Sequence, residues 1–341
     1  MTTTRDGLNR HPFTNNLPEV QFALHAAQQA TLLVRQVQAQ LVSPALAKDD
    51  RSPVTVADFA AQALIGHLLA DAFPQDALVA EEDSRALRQP EGATTLEQVT
   101  SFLARLAPKA NPQAVCDWID HGRVDTAQRF WVLDPIDGTK GFLRGDQYAV
   151  AFALVIDGLA QVGILGCPNL VGARQIDHTG PGSLVVAVRG QGAWTTELNQ
   201  PGRFERLHVS EMIDPSSARL LRSFEAGHTN VDQIDHLAQA LNIQAEPVRM
   251  DSQAKYALLA AGGGELMVRL LSADRPNYRE KIWDQAAGSL VLEEAGGRIT
   301  DLSGKDLDFT TGRSLTNNRG ILASNGRLHP AALQALQAIG A

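Results

Sequence analysis

Hydrophobic positions recur along this chain with two periods, and each change of period marks an element. Over 18–41, apolar residues return at helical spacing (Val20, Leu24, Ala27, Leu32, Val34, Val37, Leu41), which predicts a long amphipathic helix. Its Ala and Gln content favours the helix further. Residues 1–17 read as a loose polar lead. Ser52-Pro53-Val54-Thr55 breaks the pattern, and a second helix is expected over 56–72, ending near Pro74. A short strand over 77–80 runs into Glu81-Glu82-Asp83. Residues 85–129 are polar and irregular, with one helix near 95–106, and read as an insertion or lid. The apolar run 130–133 reads as a buried strand. Further on, 148–156 and 160–165 flank Asp157-Gly158, a two-residue hairpin signal. The β pattern continues through 183–189 and Gly190-Gln191-Gly192 into Ala193-Trp194. The second half alternates: a strand at 218–223, helices near 231–241 and 252–261, and a strand at 266–270. A helix opening near Trp283 runs to Glu294 and is closed by Gly296-Gly297, and a last helix covers 330–339. No internal repeat appears. The division that follows is an N-terminal α+β half, 18–200, and a C-terminal α/β half, 201–341.

Composition narrows the classes. The 341 residues are 44% hydrophobic and 20% charged, a globular profile long enough for a sizeable core. The net charge of −8 and the lack of a basic stripe argue against nucleic acid or an anionic membrane as partner. An acidic protein that handles phosphate must concentrate positive charge locally, through metal ions or a few Lys and Arg. The two cysteines, Cys116 and Cys167, form no C-x-x-C pair and imply no disulfide framework. The nine histidines are scattered, with no H-x-x-x-H zinc motif. The first ten residues carry no apolar leader and no 18-residue apolar run follows, so a cytoplasmic protein is expected. The sequence does not fix the oligomeric state; a monomer is compatible with it.

The candidate chemistry lies where apolar runs end in acids. The strand at 130–133 stops at Asp134-Pro135-Ile136-Asp137-Gly138-Thr139, two carboxylates three apart. Hard divalent cations take oxygen ligands of this kind. The following Gly138-Thr139 offers free backbone N–H groups to an anion if a helix starts there. Asp58, Glu81-Glu82 and Asp284 give three more acid positions beside apolar segments. An acid at a helix start also stabilises the helix dipole, so none of these is decisive alone. Taken together, a buried acid set needs a compensating cation.

Val54-Thr55…Asp58, Val79-Ala80-Glu81-Glu82, Asp134-Pro-Ile-Asp137-Gly-Thr139 and Trp283-Asp284…Ala-Ala-Gly, in that order, resemble the inositol monophosphatase superfamily of magnesium-dependent, lithium-sensitive phosphatases. The resemblance spans about 18–330. Asp137-Gly-Thr-Lys140-Gly-Phe-Leu-Arg144-Gly and Met250-Asp-Ser252-Gln-Ala-Lys255-Tyr256 are further similar to its 3′(2′),5′-bisphosphate nucleotidases, as are Gly166-Cys167-Pro168-Asn169 and Glu280-Lys-Ile-Trp-Asp284. The resemblance implies an α+β fold layered α-β-α-β-α, with a larger antiparallel sheet, a smaller sheet and the active site between them. It implies Mg²⁺ held by Glu81, Asp134, the carbonyl of Ile136, Asp137 and Asp284. Asp58 and Thr139 would orient and deprotonate the attacking water, and the amides of Gly138 and Thr139 would cradle phosphate. Ser252, Lys255, Arg269 and His228 would line a nucleotide pocket, with Asp284 also touching substrate. The expected reaction takes the 3′-phosphate from adenosine 3′,5′-bisphosphate, with 3′-phosphoadenylyl sulfate as a further candidate, in the setting of sulfate assimilation. The absence of a P-loop or G-x-S-x-G string agrees with direct attack by metal-activated water rather than a covalent intermediate. The alternatives are an inositol polyphosphate or sugar-phosphate phosphatase of the same superfamily, and a non-catalytic nucleotide sensor. The chain departs from the pattern at Ala80 and Asp83, where Gly and Ser are usual, and at Gln285, where a His is often seen, which leaves one contact behind the ligands open.

Overall fold

The computed structural model describes residues 12–13, 17–41, 52–224, 230–271, 275 and 277–341. Its elements in chain order are α1 (Pro18–Leu41), α2 (Ser52–Ala72), β1 (Ala77–Ala80), α3 (Ala93–Leu103), α4 (Pro112–Asp120), β2 (Arg129–Asp137), α5 (Thr139–Arg144), β3 (Ala149–Ile156), β4 (Leu159–Cys167), β5 (Leu170–Val171), β6 (Gln175–Ile176), β7 (Ser183–Val188), β8 (Gly192–Glu197) and β9 (Glu205–Arg206). The second half adds β10 (Leu220–Arg222), α6 (Val231–Ala240), β11 (Val248–Arg249), α7 (Ala254–Ala260), β12 (Leu266–Arg269), α8 (Ala286–Glu294), β13 (Arg298–Thr300), β14 (Ile321–Ser324) and α9 (His329–Ala338).

Among the described residues a seven-stranded sheet runs β1-β2-β3-β4-β7-β8-β9 and a five-stranded sheet runs β11-β10-β12-β14-β13. The larger sheet is antiparallel except where β1 joins β2 in parallel. Period-2 alternation gives it two buried faces. Trp131, Leu133, Phe152, Ile164, Leu184 and Val186 pack against α1 and α2. Phe130, Val132, Ala151, Ala153, Leu165 and Val185 share a core with α7, α8 and the inner face of the smaller sheet. That inner face presents Leu221, Met267 and Ala323. The outer one presents Leu220, Leu266, Val268 and Leu322 to α6 and α9. Five layers result, as the resemblance implies.

Small residues let the middle layer close. A Cβ on Gly163 of β4 would lie 2.8 Å from the carbonyl oxygen of Ala287, so α8 rests on the strand backbone. The Asp157-Gly158 hairpin forms with both residues at positive φ, 50° and 74°, as a two-residue turn of this kind requires.

Several expectations change. α2 begins at Ser52, not 56, because a proline is tolerated in the first turn, where its missing N–H has no partner to lose. β2 does not stop at 133 but runs through both carboxylates to Asp137. Residues 85–129 hold two helices, α3 and α4, both packed on α2. Gly66 allows that approach, since a Cβ there would sit 2.2 Å from the Trp118 carbonyl oxygen. The helix expected from Trp283 starts at Ala286. The short strands β13 and β14 were not expected.

Candidate functional site

The site begins with an irregularity in β2. Residues three apart on a regular strand face opposite sides of the sheet. Here Asp134 pairs with Ala151 and Asp137 with Ala149, so three steps on β2 match two on β3. The bulge adds the missing half-period, and Pro135 sits inside it, where an N–H is not needed. Both carboxylates therefore border one cavity of about 330 Å³. Glu81, beyond the end of β1, and Asp284, two residues before α8, border it too. Ile136 buries its side chain in the α1–α2 core and also lines the cavity. Gly138 turns the chain at φ 90° and caps α5, whose first residue is Thr139. A Cβ at Gly138 would lie 2.7 Å from Ser252 Cβ, so the turn and the Ser252 loop touch.

The acids press on one another. Burial, then the charges of Glu82 and Asp284, push Glu81 up to about 8. Burial and Asp284 raise Asp137 to about 6, against the opposing amide of Gln253. Burial also lifts Asp284 to about 6, although Arg269 opposes it. Asp134 stands well above the usual carboxylate range through burial and the charges of Glu81 and Asp137. Asp58 does so through burial and the charges of Glu82 and Glu81, which places it beside that pair. Its helix, α2, packs against α5.

A hard divalent cation fits this set. The donors are all oxygens, their mutual repulsion needs positive charge, and the buried Oδ1 of Asp134 has no hydrogen-bond partner. Among the described residues no three His, Cys, Asp or Glu side chains already close around one ion-sized point. Instead the charges of Glu81, Asp137 and Asp284 all bear on Asp134.

The same cavity also has basic and polar lining. Lys255 Nζ donates to Ser223 Oγ at 2.9 Å, and burial, then Arg269, lower its pKa to about 8. Ser252 holds a left-handed φ of 68°. Arg269 lines the same cavity, but its charge is already shared: Nη1 lies 3.1 Å from Glu280 Oε2 and 3.8 Å from Asp284 Oδ2. His228 lies outside the described residues.

Sequence reasoning missed the side chains that hold these segments together. Gln62, one turn after Asp58, brackets Glu82: its Nε2 donates to Glu82 O at 2.7 Å and its Oε1 accepts from Glu82 N at 3.0 Å. The backbone N–H of Gln253 donates to Asp137 Oδ2 at 2.6 Å. The Gln253 side chain donates to Trp283 O and accepts from Gly288 N, tying Asp137 to the segment that carries Asp284. Gln285 accepts from the Tyr256 hydroxyl at 2.5 Å and donates to Glu280 at 3.1 Å, so its side chain bonds two residues beside the acid set rather than one of the acids expected to hold the cation. A lone Gln has no local signature, and each of these partners is distant in sequence or known only from the fold.

A model of the inositol monophosphatase family matches residues 16–341. A 3′(2′),5′-bisphosphate nucleotidase of Schizosaccharomyces pombe is 38% identical over 339 residues, covering 94% of this chain and 95% of its own. One from Oryza sativa is 40% identical over 338 residues, covering 94% and 93%. Among solved structures, an IMPase from Thermotoga maritima superposes with a TM-score of 0.64 at 20% identity, over 95% of this chain and 98% of its own. The inositol monophosphatase from Anabaena gives 0.60 at 23% identity, over 93% and 94%. These two likenesses are of fold.

Proposed function

We propose that this chain, which belongs to the inositol monophosphatase family, is a Mg²⁺-dependent 3′(2′),5′-bisphosphate nucleotidase that converts adenosine 3′,5′-bisphosphate and water to AMP and phosphate. The observation that carries the reading is one cavity lined by two chemically distinct sets of groups. Glu81, Asp134, Asp137 and Asp284 form an acid set, and Lys255, Ser223 and Ser252 a basic and polar one. A substrate with two phosphates needs both: the acid set for the ester that is cleaved, the basic set for the phosphate that stays.

In this reading Glu81, Asp134, the Ile136 carbonyl, Asp137 and Asp284 hold Mg²⁺. When bound, the cation supplies electrophilic stabilisation of the phosphoryl oxygens and acidifies water. Thr139, exposed at the start of α5, orients the attacking water, and Asp58, on the helix packed against α5, receives the proton. The water oxygen bonds to phosphorus as the bond from phosphorus to the 3′-oxygen breaks; the departing 3′-oxygen takes a proton from solvent water, and Asp58 returns its proton to solvent after turnover. The Gly138 and Thr139 amides hold a phosphoryl oxygen, and the lack of a Cβ at Gly138 keeps the turn against Ser252. Lys255 and Ser252 hold the 5′-phosphate, and Arg269 and Asp284 border the same pocket. Cytoplasmic residence belongs to the same proposal; among the described residues no helix is long and apolar enough to cross a membrane.

The test is a substrate profile with and without Mg²⁺, comparing adenosine 3′,5′-bisphosphate, 3′-phosphoadenylyl sulfate, inositol 1-phosphate and a sugar bisphosphate. Adenosine 3′,5′-bisphosphate should give the highest kcat/KM, and chelation should abolish turnover. A wide preference for inositol or sugar phosphates would replace this reading with that of a related phosphatase. Nucleotide binding without turnover of any substrate would make the chain a sensor.

A further inference from the structure

Residues 313–315 touch both sides of the acid site without lining its cavity. Their backbone belongs to the Asp284 side. Ile282 N donates to Arg313 O at 3.2 Å and Leu315 N donates to Glu280 O at 2.9 Å. Lys281 and Ser314 form an isolated antiparallel bridge, and Lys281 Nζ donates to Ser314 Oγ at 3.1 Å. The chain just before Trp283-Asp284 is thereby clasped.

The Arg313 side chain reaches the other way. Its guanidinium donates to the carbonyl oxygens of Ala80, of Gly122 at 3.2 Å and of Val124 at 3.4 Å. Ala80 O belongs to the peptide that leads into Glu81. Gly122 O also accepts from Ala80 N at 2.9 Å, so one carbonyl is shared between β1 and Arg313. The same guanidinium lies 4.8 Å from the centre of the Trp283 ring, next to Asp284. A flat group with five donors can serve several carbonyls and stack at once, which an ammonium cannot. Its hydrogen bonds go to main-chain carbonyls rather than carboxylates, so what this residue fixes is position.

We propose that Arg313 is a positioning residue that sets the separation of Glu81 and Asp284, and through it the affinity of the acid set for Mg²⁺. This rests on the reading of that set as the Mg²⁺ site. Groups behind metal ligands typically change affinity or activity by about 10- to 100-fold when removed.

The experiment compares wild type, Arg313→Lys and Arg313→Met in two measurements: the rise in Tm as Mg²⁺ is titrated without substrate, and kcat as a function of Mg²⁺. Both variants should need about ten times more Mg²⁺ or beyond for half of the Tm rise, and saturating Mg²⁺ should return most of kcat. A merely structural role predicts instead a lower Tm without Mg²⁺ and an unchanged half-saturation point; that result would overturn the proposal. Should Arg313→Met fail to fold, Arg313→Lys, which keeps stem and charge, decides it alone. A wild type whose Tm ignores Mg²⁺ would overturn the metal reading and this inference with it.

Discussion

Asp134 and Asp58 are both buried acids, and a substitution to Asn, which keeps shape and removes charge, tests a different role at each. Asp134→Asn should lower turnover by about a hundredfold or more, while Tm in chelator holds or rises because a buried like charge is gone. Near-normal turnover at ordinary Mg²⁺ would remove Asp134 from the ligand set. For Asp58→Asn, turnover per folded molecule should fall with Tm maintained; a lower Tm with full turnover would make Asp58 a residue of the fold. Lys255→Ala tests the basic groups of the same cavity. Loss of one charged hydrogen bond, about 1.5–3 kcal/mol, should cost roughly ten- to a hundredfold in kcat/KM for adenosine 3′,5′-bisphosphate, and far less for a small phosphomonoester that never reaches Lys255. Equal losses on both would assign Lys255 to folding or to the acid site. The acids were legible because each sits in a compact string beside an apolar run. Gln62, Gln253 and Arg313 were not, because their partners lie elsewhere in the chain and no neighbour announces them.

At the scale of elements, legibility followed length and period. The 24-residue α1 was read to its ends, since several turns of apolar spacing leave one solution. The three-residue β13 and four-residue β14 hold too few positions for any period to show. α4 was hidden by its amphipathic polar face, in a stretch that looked irregular until α2 supplied the surface it covers. The β2 bulge was likewise unreadable: Asp134 and Asp137 three apart suggested a turn after the strand, whereas the strand continues and an extra residue rotates both onto one side. Packing between elements can be tested at Gly163. A methyl group there meets the Ala287 carbonyl at 2.8 Å, and this main-chain atom moves only if α8 moves. Gly163→Ala should cost about 1–3 kcal/mol in urea unfolding and raise the Mg²⁺ requirement, because Asp284 lies two residues before α8. Unchanged values in both would mean that α8 does not set the place of Asp284.

The molecule as a whole brings acids from four separated segments to one site, Asp58 and Asp134 buried and Glu81 at its exposed edge, and its stability should therefore depend on pH in a way that Mg²⁺ reverses. Asp137 and Asp284 rise from 3.8 to about 6 and Glu81 from 4.5 to about 8 on folding. A carboxyl raised in the folded state binds its proton more tightly there than in the unfolded chain. Its contribution is complete below about 4 and is lost as pH climbs through 6 and then 8. His329, held down to about 4 by burial, works the other way between roughly 4 and 6.5. It lies apart from the acids, between Thr300 and Ser324, so it acts equally with and without the cation. Lys255 begins to titrate only near 8, at the upper edge of the window. The difference in Tm between Mg²⁺-loaded and chelated protein isolates the acid set. A cation that binds the ionised acids in the folded state stabilises it by mass action, most strongly where protons no longer compete. The Mg²⁺-dependent rise in Tm should thus be small at pH 5 and grow by several degrees toward pH 8, while the chelated protein loses stability over the upper part of the same range. Triple replacement of Glu81, Asp137 and Asp284 by Gln and Asn should flatten the Mg²⁺-dependent curve and shrink the pH dependence of the chelated protein, of which Asp58 and Asp134 keep a share. An equal Mg²⁺ increment at pH 5 and pH 8 would mean that the cation binds elsewhere, and that these acids are not its ligands.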